Sequence, residues 1–393
     1  MHGRSWGCGR CEVLSLNGYW IVKQNQIKIM SKKKINWLLI LQGWAMLWVV
    51  IGHAFLGKSG EGPEWENALF HFAYSFHMPL FMLVSGWLFY LTRLKAYSPI
   101  WGGQKLVGSE WFLDEPGGKA ERAACESGSS VNGYQLLKKW SYWDVVKDKA
   151  IRLLMPGLVF SLISFALKLA FPGEISRQVG LNMNDVVHAL LYPYDNPFRE
   201  FWFIATLFWF FLMTPLWKAA LSNAWAKWGM LAVLAVLHFW HPDVELLCIG
   251  RAFSFAIWFY LGLLISEENL VNKYLWGWIW LTLAAGIAIY VAGMFTHPFV
   301  TTCGGIVSSF GLALIADRYI PKLFFGFRNY TYQIFLMGIL AQMFVKILYR
   351  HISVPYFAAY IVCILAGLYV PVVASKIIEK LGWKPLKLCV GLK

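Results

Sequence analysis

The sequence predicts an all-α, polytopic membrane bundle of about ten transmembrane helices with both termini in the cytoplasm. Three observations predict it. First, 58% of the 393 residues are apolar and only 14% are charged, against about 45–50% and about 25% in a soluble domain. Second, the apolar residues fall into charge-poor runs of roughly 17–22 residues, and about 20 helical residues cross a hydrocarbon core. Third, Lys and Arg gather in alternate connections between the runs, the bias that sets membrane orientation. The runs are continuous and not alternating, so they read as helices and not as barrel strands.

Residues 1–29 hold no long apolar run and no signal-peptide core, and read as a disordered N-terminal extension. Met30-Ser31-Lys32-Lys33-Lys34 then stands directly before the first run. A membrane domain is expected over 30–377 and a cytoplasmic tail over 378–393. Predicted helices occupy about 35–56, 68–91, 151–171, 200–217, 224–240, 250–266, 275–295, 299–316, 330–349 and 355–376. Lys32, Lys33 and Lys34 hold the N-terminus inside. The connection from Lys58 to Asn67 has three Glu and one Lys, which suits the outside. The next one carries Arg93, Lys95, Lys105, Lys138, Lys139, Lys147 and Lys149 and belongs inside. The 172–199 connection is poor in Lys and Arg and falls outside. Arg318, Lys322 and Arg328 return inside, as do Lys376, Lys380, Lys384 and Lys387. The sides alternate as ten crossings require. Within the second connection, residues 96–137 are rich in Gly, Ser and charge and read as a poorly ordered cytoplasmic insertion.

The net charge of +14 does not imply nucleic acid. The basic residues sit in the connections, which is topology control and not a DNA-binding face. Cys8 and Cys11 form a lone CxxC with no second pair at zinc spacing, so no metal site and no disulfide framework are expected. Cys248, Cys303 and Cys363 read as small packing residues.

Ionisable groups inside a bilayer are expensive, so each is a candidate for function. His53 lies about 27 Å along the first predicted helix, near its outer end. Gln42 precedes it by eleven residues, about three turns, so the two share a face roughly 16 Å apart. They line a shaft through the protein, or they are an interfacial His and a Gln bonded to a neighbouring helix; spacing alone leaves both open. His77 falls toward mid-membrane in the second predicted helix, where a neutral imidazole can be buried and still take a proton. Pro79 removes a backbone donor beside it and can kink the helix. Ser85-Gly86 gives a small patch for close packing. On the cytoplasmic side, Lys149 and Arg152 stand three residues apart before the third predicted helix and can face one way to hold phosphates. Their bland reading is orientation charge. Arg251 opens the sixth predicted helix on the outer side. Lys168 and Lys346 lie near helix ends and are expected to snorkel. Walker loops, HExxH and dinucleotide fingerprints are absent from the sequence.

Several segments together resemble the acyltransferase family 3 membrane proteins. The first helix ends Val49-Val50-Ile51-Gly52-His53, similar to the family's Val-x-x-Gly-His. Phe76-His77-Met78-Pro79-Leu80-Phe81 with Ser85-Gly86 resembles its Phe-His-Met-Pro-x-Phe…Ser-Gly signature. Lys149-x-x-Arg152 before Leu153-Leu154-Met155-Pro156 looks like its basic pair. Glu200-Phe201-Trp202-Phe203 and Phe259-Tyr260-Leu261-Gly262 are similar to its fourth- and sixth-helix motifs. The likeness spans about 30–377. Gln42 stands where the family usually has Arg, and Lys149 where its basic pair often begins with Arg.

The resemblance implies an O-acetyltransferase of bacterial surface glycans. It would sit as a multi-pass protein in the bacterial inner membrane. Acetyl-CoA in the cytoplasm would be its acyl donor, and a glycan or lipid-linked sugar its acceptor. His53 and His77 are then the expected catalytic residues, with His53 as general base or as acyl-carrying nucleophile. The expected substrate-binding set is Gln42, Lys149, Arg152, Ser85, Trp202 and Arg251. No metal is expected, and the other partner is the lipid bilayer. A different class of reading is a secondary transporter or polysaccharide exporter. It would call for paired carboxylates or interrupted helices in two repeat halves, and the sequence has almost no Asp or Glu within the runs and no clear repeat.

The charge pattern yields the first prediction. Reporters fused after Gly62 and after Lys380 should report opposite faces, outside and inside respectively. Both reporters on one side would overturn the alternation.

Overall fold

The computed structural model describes residues 36–56, 63–94, 142–170, 182–198 and 200–392. The predicted extension 1–29 and insertion 96–137 lie outside the described residues, as do Lys138, Lys139, Arg199 and the side chain of Lys168. Apart from Asn36 and Trp37, the described residues belong to one compact unit, Leu38–Ser98 with Trp140–Lys393.

Every element among the described residues is helical. In chain order they are α1 (Asn36–His53), α2 (Glu64–Phe89), α3 (Tyr142–Lys149), α4 (Met155–Ala170), α5 (Met183–Leu191), α6 (Phe201–Leu212) and α7 (Thr214–Ala220). There follow α8 (Ala224–Phe239), α9 (Ile249–Glu267), α10 (Ile279–Phe295), α11 (Pro298–Tyr319), α12 (Thr331–His351), α13 (Tyr356–Leu381) and α14 (Lys384–Cys389). A π-helical turn, Tyr90–Leu94, extends α2, and another, Ala150–Leu154, joins α3 to α4. Each predicted run therefore carries a helix or a bent pair. Seven spans among the described residues are long and apolar enough to cross a membrane, and α6 with α7, bent by 55°, makes up to eight. The remaining runs form α8 and α10, of 16 and 17 residues. At 1.5 Å per residue these reach about 24–26 Å, short of the roughly 30 Å core. Large apolar side chains stand exposed on the outward faces of several helices, among them Val236, Ile287, Val362 and Val370. That surface suits lipid, and the molecule is a multi-pass membrane bundle.

Inside a bilayer every freed backbone group needs a protein partner. Pro79 has no N–H to offer the carbonyl four residues back. That carbonyl, Ser75 O, accepts instead from Thr302 Oγ1 at 2.7 Å, and α2 runs unbroken through the proline. The break between α6 and α7 is handled likewise. Pro215 begins the second helix, and Thr214 Oγ1 and Trp217 Nε1 donate to the carbonyls of Phe211 and Phe210 at 2.5 and 2.7 Å.

Lipid provides no hydrophobic drive between helices, so small residues that let backbones touch set the packing. In the α10–α11 hairpin, Gly286 and Gly293 lie against the backbone of Ser308 and Thr301, and Gly304 and Gly311 against Tyr290 and Leu283. These four contacts share one antiparallel register. Across the α2–α9 crossing, Gly86 meets the Phe259 carbonyl and Gly262 the Leu83 carbonyl. The tail is docked: Gln333 Nε2 donates to Gly391 O at 3.0 Å and to Val390 O at 3.4 Å.

The crossing yields a paired prediction. A Cβ at Gly262 would overlap the Leu83 carbonyl, whereas one at Gly229 meets nothing within 4 Å. Gly262→Ala should destabilise the purified protein by about 1–3 kcal/mol. Gly229→Ala should be neutral or stabilise by up to about 1 kcal/mol. Equal melting temperatures for the two variants in detergent would remove the tight crossing.

Candidate active site

A helix ends with carbonyls that have no partner of their own. At the end of α1 three of these, and the Val49 carbonyl just before them, find partners. Val49 O accepts from His53 Nδ1 at 2.7 Å. Val50 O accepts from Gln342 Nε2 at 2.8 Å. Ile51 O accepts from Ala54 N at 3.1 Å and Tyr360 Oη at 3.5 Å. His53 O accepts from Lys346 Nζ at 2.8 Å. Lys346, expected to snorkel, instead turns its ammonium into the bundle. The reason is the bare carbonyl opposite it, a better partner than distant water. Side chains of α12 and α13 thus fix the last turn of α1.

That turn carries His53. A carbonyl can only accept, so Nδ1 holds the proton and, in the neutral ring, Nε2 presents a lone pair. Nε2 lies 3.4 Å from the Tyr74 hydroxyl and 3.6 Å from Glu200 Oε1. The His53 side chain is 25% exposed and that of Glu200 only 8%. The carboxylate therefore sits beside Nε2 in a poorly screened place, where it can pair with the ring once Nε2 takes a proton. Glu200 immediately precedes α6 and was not among the predicted site residues. The sequence signal was an acid at the outer edge of an aromatic run, at the same depth as His53.

The arrangement opens into a cavity of about 1360 Å³. Its lining comes from the end of α1, the first half of α2, the starts of α6, α9 and α11, and the ends of α8 and α10. The charge pattern assigns all of these to one face of the membrane. Four predicted site residues line it together: His53, His77, Trp202 and Arg251. His77, 1% exposed, donates Nδ1–H to Ala73 O at 2.5 Å and meets Tyr74 edge-on at 4.9 Å. Its neutral Nε2 is likewise an acceptor. Along one wall, Arg251 lies over the ring of Tyr194 at 5.2 Å, Tyr194 stacks on Trp202 at 5.8 Å, and Trp202 lies 5.7 Å from Phe255. Phe203, packed on Phe335 at 5.1 Å and on Phe81 at 6.3 Å, closes the lining toward the other half of the bundle.

The other four predicted residues do not line the cavity. Gln42 is half-buried on α1, beside Gly43, which packs on Phe324 and Arg328. Ser85 is half-buried next to the α2–α9 crossing. Lys149 and Arg152 take different partners. Arg152 Nε and Arg93 Nη2 share Asp148 at 2.7 and 2.6 Å, while Lys149 Nζ lies 4.6 Å from the centre of the Phe211 ring. The physical reason is the π-helical turn that begins at Ala150. Its wider turn changes the angle per residue between the two. Arg93, from the end of α2, is the basic residue that chain spacing did not bring to this cluster.

Removing the Lys346 ammonium tests the carbonyl accounting. It leaves His53 O without its donor and withdraws a cation that acts on Glu66 and Glu200. Lys346→Met should cost about 1–3 kcal/mol, read as a lower melting temperature, and Lys346→Arg should recover much of it. An unchanged melting temperature in Lys346→Met would contradict the pinning.

A family model described as an acyltransferase domain matches residues 35–376. No curated protein and no solved structure matches the chain. The family match runs from the foot of α1 to the last turns of α13 and takes in every residue that lines the cavity. The chain therefore belongs to acyltransferase family 3, and it is a multi-pass membrane acyltransferase.

Proposed function

We propose that the protein moves an acetyl or similar short acyl group from acyl-CoA, supplied by the cytoplasm, to a hydroxyl of a cell-envelope glycan or lipid-linked sugar, in the inner membrane of a bacterium. The observation that carries this reading is His53. Its Nδ1–H is tied to the backbone, its Nε2 lies at the cavity, and Glu200 stands beside that nitrogen.

The chemistry follows from that geometry. Nε2 takes the proton of the acceptor hydroxyl as its oxygen attacks the thioester carbonyl. Glu200 stabilises the imidazolium that results. The carbon–sulfur bond breaks, CoA leaves as thiolate, and the imidazolium returns the proton to the sulfur. The ester and free CoA are the products, and His53 is neutral again. His77 also offers only an acceptor nitrogen, which suits orienting a hydroxyl and not donating to an oxyanion. The Tyr74 hydroxyl is the donor nearest Nε2 and is placed to meet that charge. Arg93, Lys149 and Arg152 cluster about Asp148 and Phe211 with an excess of positive charge, which suits the CoA phosphates. The aromatic faces of Tyr194, Trp202 and Phe255 suit the C–H face of a sugar.

Two substitutions test the reading. His53→Ala should lower acyl transfer by about 10²–10⁴ without loss of the folded protein. Glu200→Gln should keep donor KM and lower kcat, because the imidazolium loses its counter-charge. The measurement is labelled acetyl incorporation from acetyl-CoA into envelope glycan by purified protein in proteoliposomes. Near-normal turnover in His53→Ala would reduce the residue to a structural one.

A further inference from the structure

Besides its histidines, the cavity lining holds two charged side chains among the described residues, Glu200 and Arg251. Glu200 faces His53. Arg251 is exposed to the cavity and makes no ion pair among the described residues; its partner there is the face of Tyr194, 5.2 Å away. A ring face holds a guanidinium without using any of its five N–H donors. The cation is thus fixed in place with its hydrogen-bonding capacity unspent. The ring it rests on begins the flat wall of Tyr194, Trp202 and Phe255.

We propose that the acceptor is an anionic sugar: a carboxylate or phosphate on or beside the sugar ring pairs with Arg251 while the ring lies against the aromatic wall. This deepens the acceptor site proposed above and rests on it. The choice of an anion over a neutral hydroxyl comes from the residue type. A planar fork of N–H donors matches two oxygens of a carboxylate or phosphate at once. Neutral hydroxyls would be served as well by an amide, without a cation to be solvated in a largely apolar cavity. Charge balance points the same way. With Glu200 answering the imidazolium during the reaction, Arg251 is the cation of the described lining that has no carboxylate beside it, and an anionic acceptor brings one. Carboxylate and phosphate share this chemistry, so the acidic group sits on a uronic acid or in a sugar phosphate linkage.

The test measures binding alone. Full-length protein in detergent, without acyl donor, is titrated by saturation-transfer NMR with methyl glucuronide, glucose 1-phosphate, methyl glucoside and CoA. Wild type should bind at least one acidic sugar roughly tenfold or more tighter than the neutral one. Arg251→Gln should bind acidic and neutral sugars alike, with its neutral-sugar affinity unchanged, which also shows that the wall is intact. Arg251→Lys, which keeps the charge but not the fork, should fall between. The stronger of the two acidic sugars distinguishes carboxylate from phosphate. Equal binding of acidic and neutral sugars by wild type overturns the proposal, as do failure of both acidic sugars to bind, a preference that survives Arg251→Gln, and Arg251-dependent binding confined to CoA. No acyl group is present, so this outcome is separate from the acyl-transfer reading, which stands or falls on turnover in His53→Ala.

Discussion

The last turn of α1 is the constraint on which the site depends. In water its free carbonyls would be hydrated. In a membrane protein they need donors from the chain itself. Gln342, Lys346 and Tyr360 supply them from α12 and α13, each more than 290 residues on in sequence. This binds the first span to the last two. It also sets the position of His53 from both sides, since its carbonyl is held by Lys346 and its ring by Val49 O. In the role proposed for it, a side chain held at backbone and ring loses little freedom when it reacts, which is how a folded scaffold lowers a barrier before substrate arrives.

The same accounting recurs through the bundle. Pro79 and Pro215 each free carbonyls, and Thr302, Thr214 and Trp217 answer them. Lys227, only 8% exposed, is held between Glu267 and Glu268 at 3.0 and 2.7 Å. Such groups are costly singly and stable in company. Where no polar group needs a partner, glycine brings backbones together instead, as at the α10–α11 hairpin and the α2–α9 crossing.

The sequence carries the helices plainly, because length and apolarity are local. It also carries His53 and His77, because a titratable ring inside an apolar run stands out and lies in a recognisable motif. What it does not carry is anything set by contact between distant segments. Glu200 looks like an interfacial acid until α6 is laid beside α1. Lys346 looks like a snorkelling lysine until the carbonyl of His53 is placed opposite it. The π-helical turn at Ala150 is silent in a pattern read at 3.6 residues per turn, and it begins between Lys149 and Arg152. The break at Met213 lies inside one apolar run, so α6 and α7 read as a single helix. The short helix α5 brings its following segment, with Tyr194, to the cavity wall from what reads only as an outer connection poor in Lys and Arg.

The packing of Phe203 on Phe81 and Phe335 has a consequence for the cell's energy supply. An energised membrane stores work as an ion gradient, and a cavity of this size shortens the path a proton must cover. Each of the three rings is apolar and untitratable, with no donor or acceptor to pass a proton along. Where these rings meet, the chamber can open from one face of the bilayer without these side chains adding a relay for protons toward the other.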